Sequence, residues 1–203
     1  MTVSYVEGGR SRQKERTRAA LVAATRDLLS RGLSPTVEQA AEEAGISRAT
    51  AYRYFPNQEA LLVAAHPEIE ARSLLGDDPP RDPEARLDTV VRGLAEMFLD
   101  AENTYRAMLR LALEPDAGER EVNPLRKGLR LAWIGEALAP LEGRLSAGEL
   151  RRLVHAVSAV AGIEALVTLT DLVELSREDA VAVMRWSARA LLRSALEEAK
   201  GGS

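Results

Sequence analysis

The sequence predicts an all-α protein. Ala, Leu, Glu and Arg, all strong helix formers, dominate it, and runs alternating Val, Ile, Thr and aromatics in the manner of strands are hard to find. Ser, Thr and Asp residues repeatedly precede apolar runs at helical spacing, as N-caps do. With 203 residues, 46% of them hydrophobic but only 4% aromatic, there is room for one large or two small domains around an aliphatic core.

The chain opens on a polar stretch, residues 1–9, that is no secretory signal, and nothing approaches the apolar length of a membrane span. Five basic residues between Arg10 and Arg18 suit an arm leading into a helix, and can track a phosphate backbone or form a solvated tail. Thr36 then caps a short helix, and Gln39 stands where a capping box needs it. Val37, Ala40, Ala41 and Ala44 share one face. Gly45 follows where the chain must turn sharply, with Ile46 as the inward anchor of the turn. Ser47 caps the next helix, in which small Ala49 suits a close crossing, Phe55 can bury, and Arg48, Thr50, Tyr52 and Arg53 stay polar. Two short helices arranged like this present the second to a DNA major groove.

Residues 56–59, Pro-Asn-Gln-Glu, open a fourth helix with Leu61, Leu62, Ala65, Ile69 and Leu74 on a buried face. A loop over residues 76–83 ends at Asp82, which caps a fifth helix with Pro83 in its first position. That helix runs to about Ala101, a sixth from about Thr104 to Leu113, and a seventh from about Asn123 to Leu141. Ser146-x-x-Glu149 and Ser176-x-x-Asp179 begin an eighth helix to about Leu172 and a ninth to about Glu198.

The run Ala-Gly-Ile-Ser-Arg-Ala-Thr-Ala-Tyr-Arg-Tyr-Phe-Pro-Asn-Gln-Glu-Ala-Leu-Leu, residues 44–62, resembles the tetracycline-repressor (TetR) family of one-component regulators. The likeness extends back over residues 13–31, and more softly to residues 162–167 and 184–192. It implies about nine helices: a DNA-binding helix-turn-helix domain at residues 1–56, then a ligand-binding and dimerisation domain at 57–203. It also implies a cytoplasmic, ligand-responsive regulator, a repressor, that binds a palindromic double-stranded operator as a homodimer through helices at about 146–172 and 177–198. The DNA-contacting positions would be Thr36, Val37, Ser47, Arg48, Ala49, Thr50, Tyr52, Arg53, Tyr54 and Gln58, with Arg48 and Arg53 reading bases.

Two residues depart from the family pattern. Gln58 replaces a usual Lys, so it can hydrogen-bond a phosphate without neutralising it. Pro67 falls in a normally continuous fourth helix and is expected to bend or interrupt it at His66.

Charge supports the DNA reading only through its distribution. The net charge is -4, yet residues 1–56 carry nine basic and six acidic side chains, about +3, leaving about -7 for the remainder. In the last two long helices Ala156, Ala159 and Gly162, then Ala180, Ser187, Ala190 and Ser194, offer small-residue faces for a two-fold contact. A small-molecule effector would meet Phe98, Tyr105, Met108, Trp133, Glu164 and Thr168, residues that an ordinary core explains equally well. Glu164 and Asp171 need donors, and Arg126, Arg130 or Trp133 of the seventh helix can supply them.

No catalytic residue, cofactor or metal is expected. With no Cys and two His, thiolate sites and disulfides are excluded, and His155 reads as a packing or interface residue. His-Glu-x-x-His, Gly-x-Ser-x-Gly and a phosphate-binding loop do not occur; Gly143 to Gly148 has the glycine spacing of such a loop but continues with Glu149. The rival reading is an all-α ligand-binding or interaction protein without operator binding.

Overall fold

A computed structural model of the chain describes residues 4–65, 73–113 and 128–201, with side chains from residue 12 onward. Every regular element among the described residues is helical, as the sequence predicts. The chain divides into two compact units, residues 1–69 with 110–123, and residues 70–109 with 124–203.

The first unit contains α1 (Ser4–Ser30), α2 (Val37–Glu43), α3 (Arg48–Tyr54) and α4 (Gln58–Ala65). Helix α1 begins at Ser4, so the basic stretch expected to be an arm belongs to a helix. Leu21 and Val22 of α1 pack on Val37, Ala40 and Ala41 of α2, Ala51 and Phe55 at α3, and Leu61 of α4. The α2–α3 turn follows the sequence reading. Gly45 takes φ 65°, and the Ile46 and Gly45 N–H groups donate to Ala41 and Glu42 carbonyls at 2.8 and 3.0 Å. One detail of the crossing changes: Ala51, fully buried, is the small residue at the close approach, whereas Ala49 is exposed.

Asn57 Oδ1 accepts from the Ala60 N–H at 2.8 Å and starts α4. At the other end, Arg26 Nε of α1 donates to the Ala65 carbonyl at 2.7 Å, as basic side chains do at helix C-termini. His66, Pro67 and Ile69, and with them the expected bend, lie outside the described residues. Leu74, expected on the fourth helix, sits in a bend.

The second unit contains α5 (Pro83–Asp100), α6 (Glu102–Leu113) up to residue 109, α7 (Leu129–Leu138) with a 3-10 turn (Ala139–Leu141), α8 (Ala147–Val160), α9 (Ile163–Val167) with a π turn (Thr168–Leu172), and α10 (Arg177–Gly201). Asp82 caps α5 through the Ala85 N–H, with Pro83 at its start, and Ser146 with Glu149 forms a complete capping box on α8. Helix α5 buries Leu87, Val90, Val91, Leu94 and Phe98 against α7 and α10, and α8 packs on the same pair.

The eighth helix is not continuous. It breaks at Ala161–Gly162, resumes as α9, and widens into the π turn, so the single helix expected over about 146–172 is two helices and a turn. An ion pair sits at the break. Arg130 of α7 donates to Ser158 Oγ at 2.9 Å and to both Glu164 oxygens at 2.7 and 3.2 Å. A Cβ at Gly162 would overlap Arg130 Nη1 and Glu164 Oε2, so the glycine makes room for this pair rather than for a neighbouring helix. Of the three expected donors for Glu164, Arg130 serves; Arg126 lies outside the described residues.

Residues 147–172 do reach the length and apolar character of a membrane span, contrary to the sequence expectation. The stretch is interrupted at Gly162 and carries the ion-paired Glu164 and Asp171.

Candidate nucleic-acid interface

Helix α3 is fixed at its start by Ser47, whose hydroxyl accepts from the Thr50 N–H at 3.3 Å and donates to Thr50 Oγ1 at 2.9 Å. Helix α2 is fixed by the Thr36–Gln39 box, with reciprocal bonds of 3.2 and 2.8 Å. With both N-termini satisfied and Ala51 and Phe55 buried beneath, α3 turns Ser47, Arg48, Ala49, Tyr52 and Arg53 to the surface. Thr50 is half-buried, and so is Tyr54, whose ring packs against the core. Val37 is a core residue at 2% exposure, packed against α1, so its side chain is not presented to a duplex. A cation–π contact of 5.7 Å places the Arg18 guanidinium of α1 over the Phe55 ring.

Gln58 is committed elsewhere. Its amide nitrogen is 3.0 Å from the Pro35 carbonyl, 3.2 Å from the Ser34 carbonyl and 3.3 Å from Ser34 Oγ, which ties the start of α4 to the α1–α2 connection. A phosphate contact through that nitrogen requires giving up these bonds.

Glu38 is a residue at this surface that the sequence reading passed over. From α2 its Oε1 accepts from Arg48 Nη2 and from the Tyr52 hydroxyl, both at 2.6 Å. The Tyr52 hydroxyl, with Glu38's own backbone N–H and Arg48 adding to it, holds the carboxyl down at about 2. The same bond pushes the Tyr52 phenol up. In the sequence Glu38 is one acid among several near the interface. Only the crossing of α2 over α3 brings residue 38 to residues 48 and 52.

The residues expected to line an effector site separate into two groups. Phe98, Tyr105, Met108 and Trp133 are buried, with Phe98 and Tyr105 rings edge to face at 4.8 Å. Glu164 is half-exposed and engaged with Arg130; burial opposes its ionisation, but the Arg130 bond and charge leave its carboxyl below the usual range. Thr168 is exposed and returns its hydroxyl to the Glu164 carbonyl at 2.9 Å. His155, expected on an apolar side, is exposed as well.

Residues 21–65 match the family described as bacterial regulatory proteins, tetR family. The HTH-type transcriptional regulator EthR of Mycolicibacterium smegmatis is 26% identical over 148 residues, covering 70% of this chain and 66% of that protein. The match thus spans slightly under two thirds of the curated relative's length. The crystal structure of a TetR transcriptional regulator from Rhodococcus sp. RHA1 is similar in fold, with a TM-score of 0.52 at 20% identity over 89% of this chain and 97% of that one.

Proposed function

We propose, on the premise that this chain belongs to the TetR family of bacterial regulators, that it binds an approximately palindromic operator as a homodimer and represses transcription until a small molecule releases it. The observation that carries the reading is the doubly capped α2–α3 pair, which presents Arg48, Tyr52 and Arg53 on a short exposed helix within the family-matching segment. Arg48 and Arg53 read base edges. Thr36, Ser47, Thr50, Tyr52 and Tyr54, with the backbone at Val37 and Ala49, hold the phosphates, and Gln58 does so if its present bonds are released. The protein works in the cytoplasm.

Dimerisation is assigned to α8 and α10. On α10 Val183, Trp186, Ala190 and Ser194 recur at helical spacing and are exposed, Trp186 at 65%. Ala159 of α8, Leu172 at the end of the π turn and Val173 after it are exposed too. A tryptophan so open on an apolar stripe is what a self-complementary two-fold contact would cover. The effector is assigned to the aromatic core at Phe98, Tyr105, Met108 and Trp133, and its coupling to the operator is expected at about 1–3 kcal/mol. No catalytic role is proposed.

Selection of bound duplexes from a random-sequence library, followed by gel-shift titration against salt, tests the reading. Enrichment of an inverted repeat whose complex dissolves as salt rises is expected. A library that emerges unenriched would favour the rival, an all-α ligand-binding or interaction protein.

A further inference from the structure

A carboxylate is out of place on a surface that must meet phosphates, unless it does something there. Glu38 is not a solvated acid that happens to lie near the interface. Its side chain is 31% exposed, against 72% for Arg48. One of its oxygens receives both the Arg48 guanidinium and the Tyr52 hydroxyl at 2.6 Å. Arg48 and Tyr52 are four residues apart, on one side of α3, so a single acceptor on the neighbouring helix can hold both. The bond to Arg48 goes through Nη2, and a guanidinium has five donors, so capacity for a bidentate contact remains.

Two effects follow from this geometry. The long Arg48 side chain, otherwise free among many rotamers, is confined before DNA arrives, which favours one docking geometry over the rest. The Glu38 charge also offsets that of Arg48 toward any phosphate it meets, and that attraction is the sequence-independent part of DNA affinity. Because the carboxyl is held at about 2, it stays ionised wherever DNA binding is measured.

We propose that Glu38 is a specificity-determining positioning residue, clamping Arg48 and Tyr52 from α2 so that Arg48 reads one base pair and is restrained from indiscriminate phosphate binding. The inference rests on the operator-binding reading above.

The test uses the full chain and the duplex that the wild type enriches, beside a random duplex of equal length. Glu38→Gln keeps an acceptor but removes the charge. It should tighten random-duplex binding several-fold and steepen its salt dependence, while operator affinity stays level or falls, so the specificity ratio drops by about tenfold. Repeating the selection with Glu38→Gln should relax the preference at the base pair that Arg48→Ala also relaxes, and only there. Tyr52→Phe, which leaves both charges in place, should relax that same base pair by a smaller factor and serves as the readout if Glu38→Gln folds poorly. Equal tightening on both duplexes with unchanged preference would reduce Glu38 to a repulsive charge and overturn the clamp. A changed preference at a base pair that Arg48→Ala leaves alone would make Glu38 a direct reader, for example of a cytosine amino group, and overturn it as well. Failure of the wild type to enrich any sequence would instead remove the operator reading itself.

Discussion

A methyl group at Gly162 would overlap Arg130 Nη1 and Glu164 Oε2, so this residue governs an ion pair that it does not itself make. Gly162→Ala is therefore expected to cost about 1–2 kcal/mol, at the lower end for a charged hydrogen-bonded pair because Glu164 is 44% exposed. Combined with Glu164→Ala it should cost clearly less than the sum of the two, since both break one interaction; additive melting shifts would show that Gly162 acts through something else. On the DNA side, Arg48→Ala should weaken operator binding by about 1–3 kcal/mol and random-duplex binding much less. Equal losses in gel-shift titrations would remove its base-reading role. At this scale the caps and the turn were legible because each is a local rule: Thr36 with Gln39, Ser47, and Gly45 at φ 65°. Glu38 was not, since its partners lie ten and fourteen positions away. Nor was the exchange of Ala49 for Ala51 at the helix crossing, which depends on the rotation of α3 about its axis.

Helix starts in the second unit were read from Asp82, Ser146 and Ser176, and all three hold in the structure. The break after Val160 escaped because Ile163, Leu166 and Val167 continue the helical apolar period across it, and Arg130, the side chain packed at it, comes from another helix. The acidic partners of such contacts set a pH response. Arg185 and Arg193 of α10 each grip an α5 carboxylate through two bonds, Asp88 at 2.6 and 2.8 Å and Glu84 at 2.7 and 3.0 Å. Those bonds hold both carboxyls below their usual range, and Arg106, with Thr170, holds Asp171 at about 2. Folded-state values that lie below the unfolded ones of about 4 mean that the contribution is complete above about pH 4 and is lost as pH falls toward about 2. Thermal melting followed by circular dichroism should be flat near neutrality and fall across that acid window. Asp171→Asn should be less stable at neutral pH and lose less on acidification. An acid response identical to that of the wild type would mean that the Arg106–Asp171 bond contributes nothing measurable.

For the whole molecule, charge and apolar surface point to two different partners. The excess of about +3 lies in residues 1–56, where α3 is exposed, whereas the second unit leaves an apolar stripe on α10. Composition made the first legible, and helical spacing made the second partly so. The small residues of 177–198 were seen in the sequence, but exposure of Trp186 and Val183 beside them emerges only once α5 and α8 have claimed the other faces of α10. If two copies meet there, each exposed small residue faces its own counterpart or a near neighbour across the two-fold axis, and a long charged side chain has nowhere dry to go. Ala190→Arg, and separately Ala159→Arg, should then place an unpaired charge in the contact and shift the protein from dimer to monomer in light scattering, with each unit's helical content retained. Operator affinity should fall with it, because a monomer engages one half-site and gives up the gain from holding two at once. Random-duplex binding by the same full-length variants should change far less, since it does not need two half-sites held at once. Variants that remain dimeric, or a wild type that is monomeric at concentrations where it already binds the operator, would take the contact away from α8 and α10.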